Sequence, residues 1–468
     1  MTTSHRFHLI GIGGAGMSVV AELLKDRGLE VSGSDQKESP VLDHLRSVGV
    51  KVFVGHDAAH VPAGSVVVVS TAVRETNPEL AYARKEGLTV IHRSQALALA
   101  ASGMRFVAVA GAHGKTTTSG MLSMALRQAG ADPSIAVGSV IPELGSGAHL
   151  GSGDIFVAEA DESDGSFLNY TPWIEIVTNV EPDHLDRYGS REAFEQVFVD
   201  FVGCLREGGT LVCCGEDAGS ARLARYAKEH GIDTVTYGRE GQESHELGAA
   251  CDVVIKDATT DGRVASAHVV WNTETVEINL RVPGLHNIVN AVAAWIAGVR
   301  LGVEAGLMAS SLTAFSGTSR RFEFKGENGG RRLFDDYAHH PTEVAAAITQ
   351  ARSAAGNGDV SVVFQPHLYS RTQSFAERFA DALSHADHVY VCDIYGARED
   401  PVPGVDSTLI TSHLPKAHYV PDMHEAARLA AREVSEGGIL LTMGAGSITQ
   451  CDHDVLDEWE HEGVGSAQ

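Results

Sequence analysis

The sequence is poor in basic residues. Lysine and arginine number 36 against 61 acidic residues, which gives a formal net charge of −25. Such a charge repels polyanions, so the composition argues against nucleic acid and anionic membrane surfaces as partners. Any anionic ligand must therefore be bound by local features, such as a helix N-terminus, a lysine or a metal ion.

The sequence also lacks cysteine pairs and long apolar runs. Its six cysteines form no CxxC motif and no disulfide framework, so reduced thiols are expected. No apolar run approaches the length of a membrane-spanning helix. The N-terminal stretch MTTSHRFHLIGIGGAG has no signal-peptide pattern. These absences lead us to expect a cytoplasmic protein.

Short apolar runs alternate with amphipathic helical patterns along the whole chain. This alternation is typical of α/β proteins with mostly parallel sheets. A length of 468 residues suggests about three domains. We predict domain boundaries that divide the chain into residues 1–100, 101–317 and 318–468.

The first segment opens with a glycine-rich turn. Gly11, Gly13 and Gly16 have the GxGxxG spacing, Gly14 lies inside it, and Asp35 follows Gly16 by 19 residues. Such glycines let the backbone approach a pyrophosphate at a helix N-terminus, and the acidic residue lies where a ribose hydroxyl is bound. The pattern predicts nucleotide binding, although helix–strand packing alone also favours glycine. NAD and other diphosphate-linked nucleotides both remain open.

The second segment opens with a phosphate-binding pattern. It comprises Gly111, Ala112, His113, Gly114, Lys115, Thr116 and Thr117. The full Walker pattern has a further glycine where this chain has Val109. Backbone N–H groups, the lysine and the Thr116 hydroxyl would bind ATP phosphates and Mg²⁺. The alternative is a capped helix start with an incidental lysine.

Magnesium-dependent phosphoryl transfer requires further oxygen or nitrogen ligands. Glu159 ends a predicted strand, where α/β sheets bind ligands, and is our preferred metal ligand. His184 follows the next strand between two aspartates, and we weigh it equally as a metal ligand and as a structural histidine. The acidic stretch 161–164 is equally consistent with a solvated loop.

Asn287 and Asn290 share one face of a predicted helix. Their amides are candidates for adenine recognition, although Asn287 also suits helix capping. Arg320 and Arg321 of the stretch SRRF, at the predicted domain boundary, are candidates for a phosphate contact across a cleft, with a solvated surface position as the alternative.

Polar and charged side chains follow three predicted strands of the last segment. They are Asp336, Tyr337, His339, His340, His367, Arg371, Asp393 and Arg398. Arg371 has the fork geometry that pairs with a carboxylate. The pattern predicts one cleft for a small zwitterion or anion, with scattered surface charge as the alternative.

In this order the stretches GIGGAGMS, GAHGKTTT, EADESD, NVEPDHLD, HNIVNA, RRFEFKG, DDYAHHPTEV, FQPHLYSRT and GARED resemble the Mur ligases over nearly the whole chain. The resemblance implies an α/β fold of three domains: a Rossmann-like N-terminal domain for a UDP-sugar, a central P-loop ATPase domain, and a Rossmann-like C-terminal domain for the amino acid. The first glycine loop then binds UDP rather than NAD.

The resemblance also implies the reaction. ATP would phosphorylate the lactyl carboxylate of UDP-N-acetylmuramate, and L-alanine would attack the acyl phosphate in peptidoglycan precursor synthesis. Phosphate is a good leaving group, whereas a free carboxylate is a poor electrophile. We expect a monomer or homodimer with ATP and Mg²⁺, and with no nucleic acid or membrane partner.

Site roles follow from the same resemblance. Residues 111–117, with Asn287, Asn290, Arg320 and Asp336, would bind ATP; Thr116, Glu159 and His184 would bind the metal; Gly11, Gly13, Gly14, Gly16 and Asp35 would bind the UDP-sugar. Tyr337, His339 and Arg371 would face the amino acid, and catalytic roles would fall to Lys115, His184, His339 and Arg371. Relatives often have arginine where this chain has Leu368.

Several other functions use parts of the same motif set. A ligase adding another amino acid or a recycled peptide to the same sugar nucleotide is the nearest one. Folate-polyglutamate ligases share the last two domains but lack a UDP-binding one. An NAD-dependent oxidoreductase fused to an ATPase rests only on GxGxxG, and an ATP-gated regulatory module leaves the charged strand ends unexplained.

Overall fold

The structure is a computed structural model that describes residues 6–181, 185–261, 263–397 and 399–465. The chain forms two compact units, although it contains three sheets. The first unit contains Met1–Ala258, Ser266–Leu280 and Ile288–Ser316, and the second contains Thr259–Ala265, Arg281–Asn287 and Gly317–Gln468. The first predicted domain and most of the second therefore belong to one unit, while residues 259–265 and 281–287 of the second belong to the other unit. None of the described helices is both long and apolar enough to cross a bilayer.

The first sheet is entirely parallel and has the strand order β3-β2-β1-β4-β5. Its strands are β1 (Arg6–Ile10), β2 (Glu30–Asp35), β3 (Lys51–Val54), β4 (Val66–Val69) and β5 (Val90–His92), and its helices are α1 (Ala15–Asp26), α2 (Pro40–Ser47), α3 (Pro78–Lys85) and α4 (Arg93–Ala100). This order matches the first five positions of the Rossmann order 3-2-1-4-5-6, a fold that binds ligands at the carboxyl ends of its strands.

The second sheet has ten strands in the order β15-β14-β13-β12-β11-β10-β6-β9-β7-β8. They are β6 (Arg105–Ala110), β7 (Ser134–Ile141), β8 (Ser146–His149), β9 (Ile155–Glu159), β10 (Ile174–Val177), β11 (Thr210–Cys214), β12 (Asp233–Arg239), β13 (Val253–Thr260), β14 (Ala265–Trp271) and β15 (Glu274–Leu280). The helices are α5 (Lys115–Gln128), α6 (Leu185–Tyr188), α7 (Arg191–Val202), α8 (Ala218–Glu229), α9 (Leu285–Arg300) and α10 (Ala305–Ser311).

Strand β6 lies at the centre of this sheet, parallel to both β9 and β10. The residues that follow these three strands therefore share one edge. A continuous apolar cluster joins this sheet to the first one and includes Leu9, Val68, Phe106 and Phe156. This shared core explains why two sheets form one compact unit.

The third sheet has the order β16-β17-β21-β18-β19-β20, with only the β16–β17 pair antiparallel. Its strands are β16 (Glu323–Asn328), β17 (Arg331–Asp336), β18 (Val360–Phe364), β19 (His388–Val391), β20 (Ala417–Tyr419) and β21 (Ile439–Met443). The helices are α11 (Pro341–Ala355), α12 (Tyr369–Leu383), α13 (Thr408–Thr411), α14 (Met423–Glu433) and α15 (Asp452–Gly465). Val362 and Phe364 face one apolar cluster and Val363 faces another, so helices cover both faces.

A buried glutamate ties the loops at the carboxyl edge of the first sheet. Glu79, in the first turn of α3, is fully buried and accepts a hydrogen bond from Ser34 Oγ at 2.5 Å. Nδ1 of His56 and Nδ1 of His60 each lie 3.3 Å from its carboxylate, and His8 Nε2 lies at 3.7 Å. Burial alone would raise the pKa of Glu79, but His8 and Ser34 outweigh it and leave that pKa below its ordinary value.

We predict that Glu79→Gln lowers the free energy of unfolding by about 2 kcal/mol at pH 7, because a buried carboxylate with several donors is lost. The carboxylate has a lowered pKa in the folded state, so its contribution is present above its unfolded pKa of about 4.3 and disappears as the pH falls through the folded value. The stabilities of the parent protein and the variant should therefore converge as the pH falls, and urea midpoints measured between pH 7 and pH 3 test this.

The matched control is Glu75→Gln. Glu75 pairs with Arg84 on the surface, where its side chain is 70% exposed, so we expect a change below about 0.5 kcal/mol at every pH. Equal effects of the two substitutions would show that the buried cluster does not stabilise the first unit.

Candidate active site

The phosphate-binding pattern forms a tight loop between β6 and α5. Gly111 has φ 132° and Gly114 has φ 82°, both in the region that favours glycine. The first N–H groups of α5 have no acceptor within their own helix. The loop therefore directs a helix N-terminus and Lys115 towards the same edge of the sheet, as an anion site requires.

Neighbouring strands restrict this loop. A Cβ atom at Gly111 would lie 2.2 Å from Thr178 Oγ1, and one at Gly114 would lie 2.9 Å from Asn290 Oδ1. Thr178 Oγ1 and Asn179 Nδ2 both donate to the His113 carbonyl oxygen, at 2.6 and 2.9 Å. The loop is held by the residues after β10 and by α9, so its shape does not depend on a ligand.

Lys115 forms an ion pair with a residue that the sequence left as part of an acidic loop. Its Nζ lies 3.0 and 2.9 Å from the two carboxylate oxygens of Glu162 and 2.5 Å from the Gly111 carbonyl oxygen. Burial alone would lower the pKa of Lys115, but Glu162 and Asp161 outweigh it and raise that pKa. Burial raises the pKa of Glu162 to about 7, against the opposing effect of Lys115.

Two of the three predicted metal ligands lie among the described residues. Glu159 ends β9, directly beside β6, and its Oε1 accepts a hydrogen bond from Gly138 N at 3.0 Å. Thr116 lies in the first turn of α5. A carboxylate and a hydroxyl suit Mg²⁺, which prefers oxygen ligands, so these donors fit the ion. His184 lies outside the described residues.

Arg93 is a residue that the sequence did not single out. A Cβ atom at Gly16 would lie 2.1 Å from Arg93 Nη1, and Nη2 of the same guanidinium forms an ion pair with Asp161. Nearby, His92 Nε2 lies 3.4 Å from Asp164. Arg93 thus contacts both the first glycine loop and the acidic loop after β9. The sequence signal that could have identified Arg93 is its position directly after the short strand β5, at the carboxyl edge of the sheet.

The first glycine loop forms the predicted turn, and its acidic residue, Asp35, contacts the loop directly. Gly11 has φ 76°, and its N–H donates to the Ser34 carbonyl oxygen at 2.8 Å. Asp35 accepts from Gly13 N at 2.9 Å and from Gln36 N at 2.7 Å. Asp35 therefore holds the loop itself, at the edge where a ribose would bind.

The two helical asparagines have different surroundings. Asn290 lies against Gly114, next to the phosphate-binding loop. Asn287 belongs to the second unit, and its Nδ2 donates to the Pro283 carbonyl oxygen at 2.6 Å. This contact uses the amide nitrogen as donor to the backbone before α9, whereas a helix cap uses the side-chain oxygen as acceptor.

In the second unit, aromatic and basic side chains gather at the carboxyl edge of the sheet. Rings of Tyr337 and His339 meet edge to face at 5.2 Å, and His339 meets His367 in the same way at 5.7 Å. Arg371 Nη1 lies 3.3 Å from His367 Nδ1. Tyr395, whose residue is 40% exposed, stacks on His367 at 5.9 Å. Tyr337, His339, His367 and Arg371 therefore lie together, with Tyr395 as an additional member.

The other predicted strand-end residues have different contacts: His340 packs on Phe375, and Asp393 accepts a hydrogen bond from the Tyr419 hydroxyl. Arg398 lies outside the described residues.

Leu368 sits between His367 and Arg371 in an unusual backbone conformation. Its φ is 70°, in the left-handed region, and the residue is 5% exposed. Its N–H donates to the Tyr395 carbonyl oxygen at 3.0 Å, and its own carbonyl oxygen accepts from Thr372 N at 3.1 Å. These contacts hold a strained turn that brings His367 and Arg371 together.

The two arginines of the SRRF stretch have different contacts. Arg320 donates through Nε to Asp335 at 3.1 Å, through Nη2 to Gly444 O at 2.6 Å and through Nη1 to Gly446 O at 3.4 Å. Arg321 lies 3.4 Å from Glu343 and lowers the pKa of Asp336. The contacts of Arg320 therefore hold the second unit together. Arg321 is the arginine that acts on Asp336, a predicted ATP-binding residue.

Asp336 ends β17 and fixes the turn that follows. It accepts from Phe322 N at 2.7 Å and from Ala338 N at 2.8 Å. Burial raises its pKa to about 6, against the lowering effects of Arg321 and these two N–H groups. Its contacts are thus with the backbone just before β16 and with the turn that follows β17.

Family models of the Mur ligases match the chain in three consecutive segments. The Mur ligase catalytic domain matches residues 6–105, the Mur ligase middle domain matches residues 109–298, and the glutamate ligase domain matches residues 320–446. The matches cover most of the chain, and they follow the order of the three sheets, although most of β6 precedes the middle-domain match. The chain belongs to the Mur ligase family.

The relatives with high identity described below share one name. The UDP-N-acetylmuramate–L-alanine ligase of Renibacterium salmoninarum is 50% identical over 97% of this chain and 95% of its own. That of Kineococcus radiotolerans is 51% identical over 97% and 96%. A solved structure of the UDP-N-acetylmuramate–alanine ligase from Thermotoga maritima is 27% identical, covers 98% of this chain and 99% of its own, and has a TM-score of 0.80.

We predict that Gly111→Ala abolishes ATP binding. The added methyl would overlap Thr178 Oγ1 at a backbone angle that alanine disfavours, so the loop would lose its shape. Isothermal titration calorimetry with ATP and Mg²⁺ measures the loss.

Gly130→Ala is the matched control for this substitution. Gly130 also has positive φ, at 85°, but nothing lies within 4 Å of a Cβ atom there. This variant should keep its ATP affinity within about twofold. Its free energy of unfolding should fall by only ~1 kcal/mol, the cost of alanine in the left-handed conformation. Unchanged ATP affinity in Gly111→Ala would contradict the assignment of this loop.

Proposed function

We propose that the protein joins L-alanine to the lactyl carboxylate of UDP-N-acetylmuramate, with ATP as phosphoryl donor. The observation that carries the proposal is the sequence identity of about 50% to UDP-N-acetylmuramate–L-alanine ligases, which extends over nearly the whole length of the chain. The geometry supports it, because a phosphate-binding loop lies in one unit and a basic, aromatic strand-end cluster lies in the other.

The domain assignment belongs to the same proposal. Residues 1–100 would bind the UDP-sugar, residues 101–317 would bind ATP, and residues 318–468 would bind the amino acid. The strand order of the first sheet and the glycine loop after β1 support the first assignment. Both nucleotides are metabolites of the cytoplasm, where we place the reaction.

The first chemical step would activate the carboxylate. Lys115 and the N–H groups at the start of α5 would bind the β- and γ-phosphates and offset their charge as the γ-phosphoryl group moves to the lactyl carboxylate. An acyl phosphate forms and ADP leaves. Since the chain is acidic overall, this fixed local positive potential is what allows two anions to approach each other.

Thr116 and Glu159 would hold Mg²⁺, with His184 as a further candidate. When bound, the ion would offset the negative charge of the phosphates. Glu159 has a position suited to this role, because its strand β9 pairs with β6 in parallel and ends beside the phosphate-binding loop.

The second step would form the amide. Arg371 is suited to bind the carboxylate of L-alanine, with His367 beside it to orient the guanidinium. His339 lies between Tyr337 and His367, where it can accept the proton of the attacking amine. Phosphate then leaves from the tetrahedral intermediate.

Phosphate release from ATP and Mg²⁺ in the presence of UDP-N-acetylmuramate tests the function. L-Alanine, glycine, L-serine or a tripeptide is added singly, and the amide product is identified by mass. We expect release that requires both the sugar nucleotide and L-alanine. A preference for the tripeptide would instead indicate a recycling ligase, and release that ignores both substrates would indicate a regulatory ATPase.

We predict that Arg371→Lys raises the KM for L-alanine at least tenfold and leaves the KM for ATP within about twofold. Lysine keeps the charge but loses the planar fork that pairs with a carboxylate. Initial rates with each substrate varied in turn measure both constants.

Arg378→Lys provides the control on the same helix, because Arg378 packs on Phe375 at 5.3 Å and lies one and a half to two turns from Arg371. We expect both of its KM values to match those of the parent enzyme. A KM for L-alanine that is the same in both variants would exclude Arg371 from the amino-acid site.

A further inference from the structure

The resting contacts of Lys115 have a consequence for nucleotide binding. An ammonium group has three donors. Here they face the Gly111 carbonyl oxygen, at 2.5 Å, and both oxygens of Glu162, at 3.0 and 2.9 Å. Ala112 O lies further away, at 3.4 Å. A phosphate oxygen that binds Lys115 must therefore take a position that a protein oxygen now holds.

Glu162 is held where it is by its own loop. Its residue is only 2% exposed. The Tyr188 hydroxyl donates to its backbone carbonyl oxygen, and Gly165 N donates to the same oxygen at 3.2 Å. The carboxylate therefore has little freedom to move into solvent when a nucleotide arrives.

Two anions would then compete for one lysine. An ionised carboxylate at this place would be a close anionic neighbour of the γ-phosphate, in a buried site where charges are weakly screened. The repulsion disappears when the carboxyl group carries a proton. A protonated Glu162 can also donate a hydrogen bond to a phosphate oxygen.

We propose that Glu162 is the partner of Lys115 in the nucleotide-free enzyme, and that ATP binding transfers Lys115 to the phosphates while Glu162 takes up one proton from solvent. No bond other than that O–H bond is formed or broken. The inference rests on the proposed function, because it requires ATP at this loop. It makes Glu162 a positioning residue that couples nucleotide affinity to pH.

The charges that face Glu162 agree with this coupling. Lys115 on α5 lowers the pKa of its carboxyl group, while Asp161 on the same loop raises it, and burial raises it most, to about 7. Tyr188 on α6 also lies within electrostatic range. Transfer of Lys115 to phosphate removes the stabilising cation, so the pKa of Glu162 must rise further in the complex.

Calorimetry of ATP and Mg²⁺ binding in buffers of different ionisation enthalpy measures the protons taken up. For the wild-type enzyme we expect about 0.9 proton at pH 8 and about 0.1 at pH 6, since a carboxyl group with a pKa near 7 is mostly ionised at the higher pH. The Kd for ATP should accordingly rise about tenfold between pH 6 and pH 8, with about fivefold of that rise between pH 7 and pH 8.

Glu162→Gln should remove this behaviour. We expect no proton uptake beyond that of the nucleotide itself, a Kd that changes less than twofold between pH 6 and pH 8, and tighter binding than wild type at pH 8. Glu181→Gln is the matched control, because Glu181 lies beside the same loop, 3.9 Å from His113 Nε2. It should keep the wild-type proton uptake.

Wild-type calorimetry alone can overturn the inference, even if the Glu162 variant does not fold. ATP binding without proton uptake and without pH dependence would contradict the coupling and leave the proposed function intact. Proton uptake that persists in Glu162→Gln would assign the proton to another group. Absence of ATP binding at every pH would overturn both proposals.

Discussion

The parallel pairing of β6 with β9 and β10 is the constraint on which the candidate active site depends. It brings the phosphate-binding loop, the acidic loop after Glu159 and the Thr178–Asn179 pair to one sheet edge. None of these segments is near another in sequence. Their contacts, from His113 to Asn179 and from Lys115 to Glu162, follow from strand order rather than from local propensity.

Overall charge and local charge play separate roles in this chain. The net charge of −25 does not prevent an anion site, because the site uses a helix start and one buried lysine. The carboxylates around that lysine are partners of Lys115 and Arg93 in a ligand-free loop. Negative residues near a phosphate site thus keep its cations in place before the substrate arrives.

Much of the fold was predictable from the sequence, because glycine turns and apolar runs report on backbone requirements directly. The α/β class, the strand–loop–helix setting of Gly111 to Thr116 and the clustering of His339 with Arg371 all follow from such patterns. The sequence did not predict that the first two sheets share one apolar core, because apolar residues at a sheet edge do not specify the element they pack against.

Side-chain partners were the least predictable part. Two adjacent arginines look equivalent in the stretch SRRF, yet Arg320 is bound by Asp335 and two glycine carbonyl groups, whereas Arg321 forms an ion pair with Glu343. Arg93 belongs to no motif, and the stretch EADESD gave no individual role to Glu162. The roles of both residues depend on loops that meet in three dimensions. Sequence spacing reports which residues share an edge, whereas the choice of partner depends on rotamers and burial.

Leu368 illustrates how two requirements can restrict one position. Its left-handed backbone favours glycine or asparagine, whereas its burial favours a large apolar side chain. No amino acid satisfies both, so leucine is a compromise that leaves strain in the turn. In a saturation library this codon would behave unlike a usual core position: valine and isoleucine, the conservative replacements elsewhere, would rank below smaller and more polar residues.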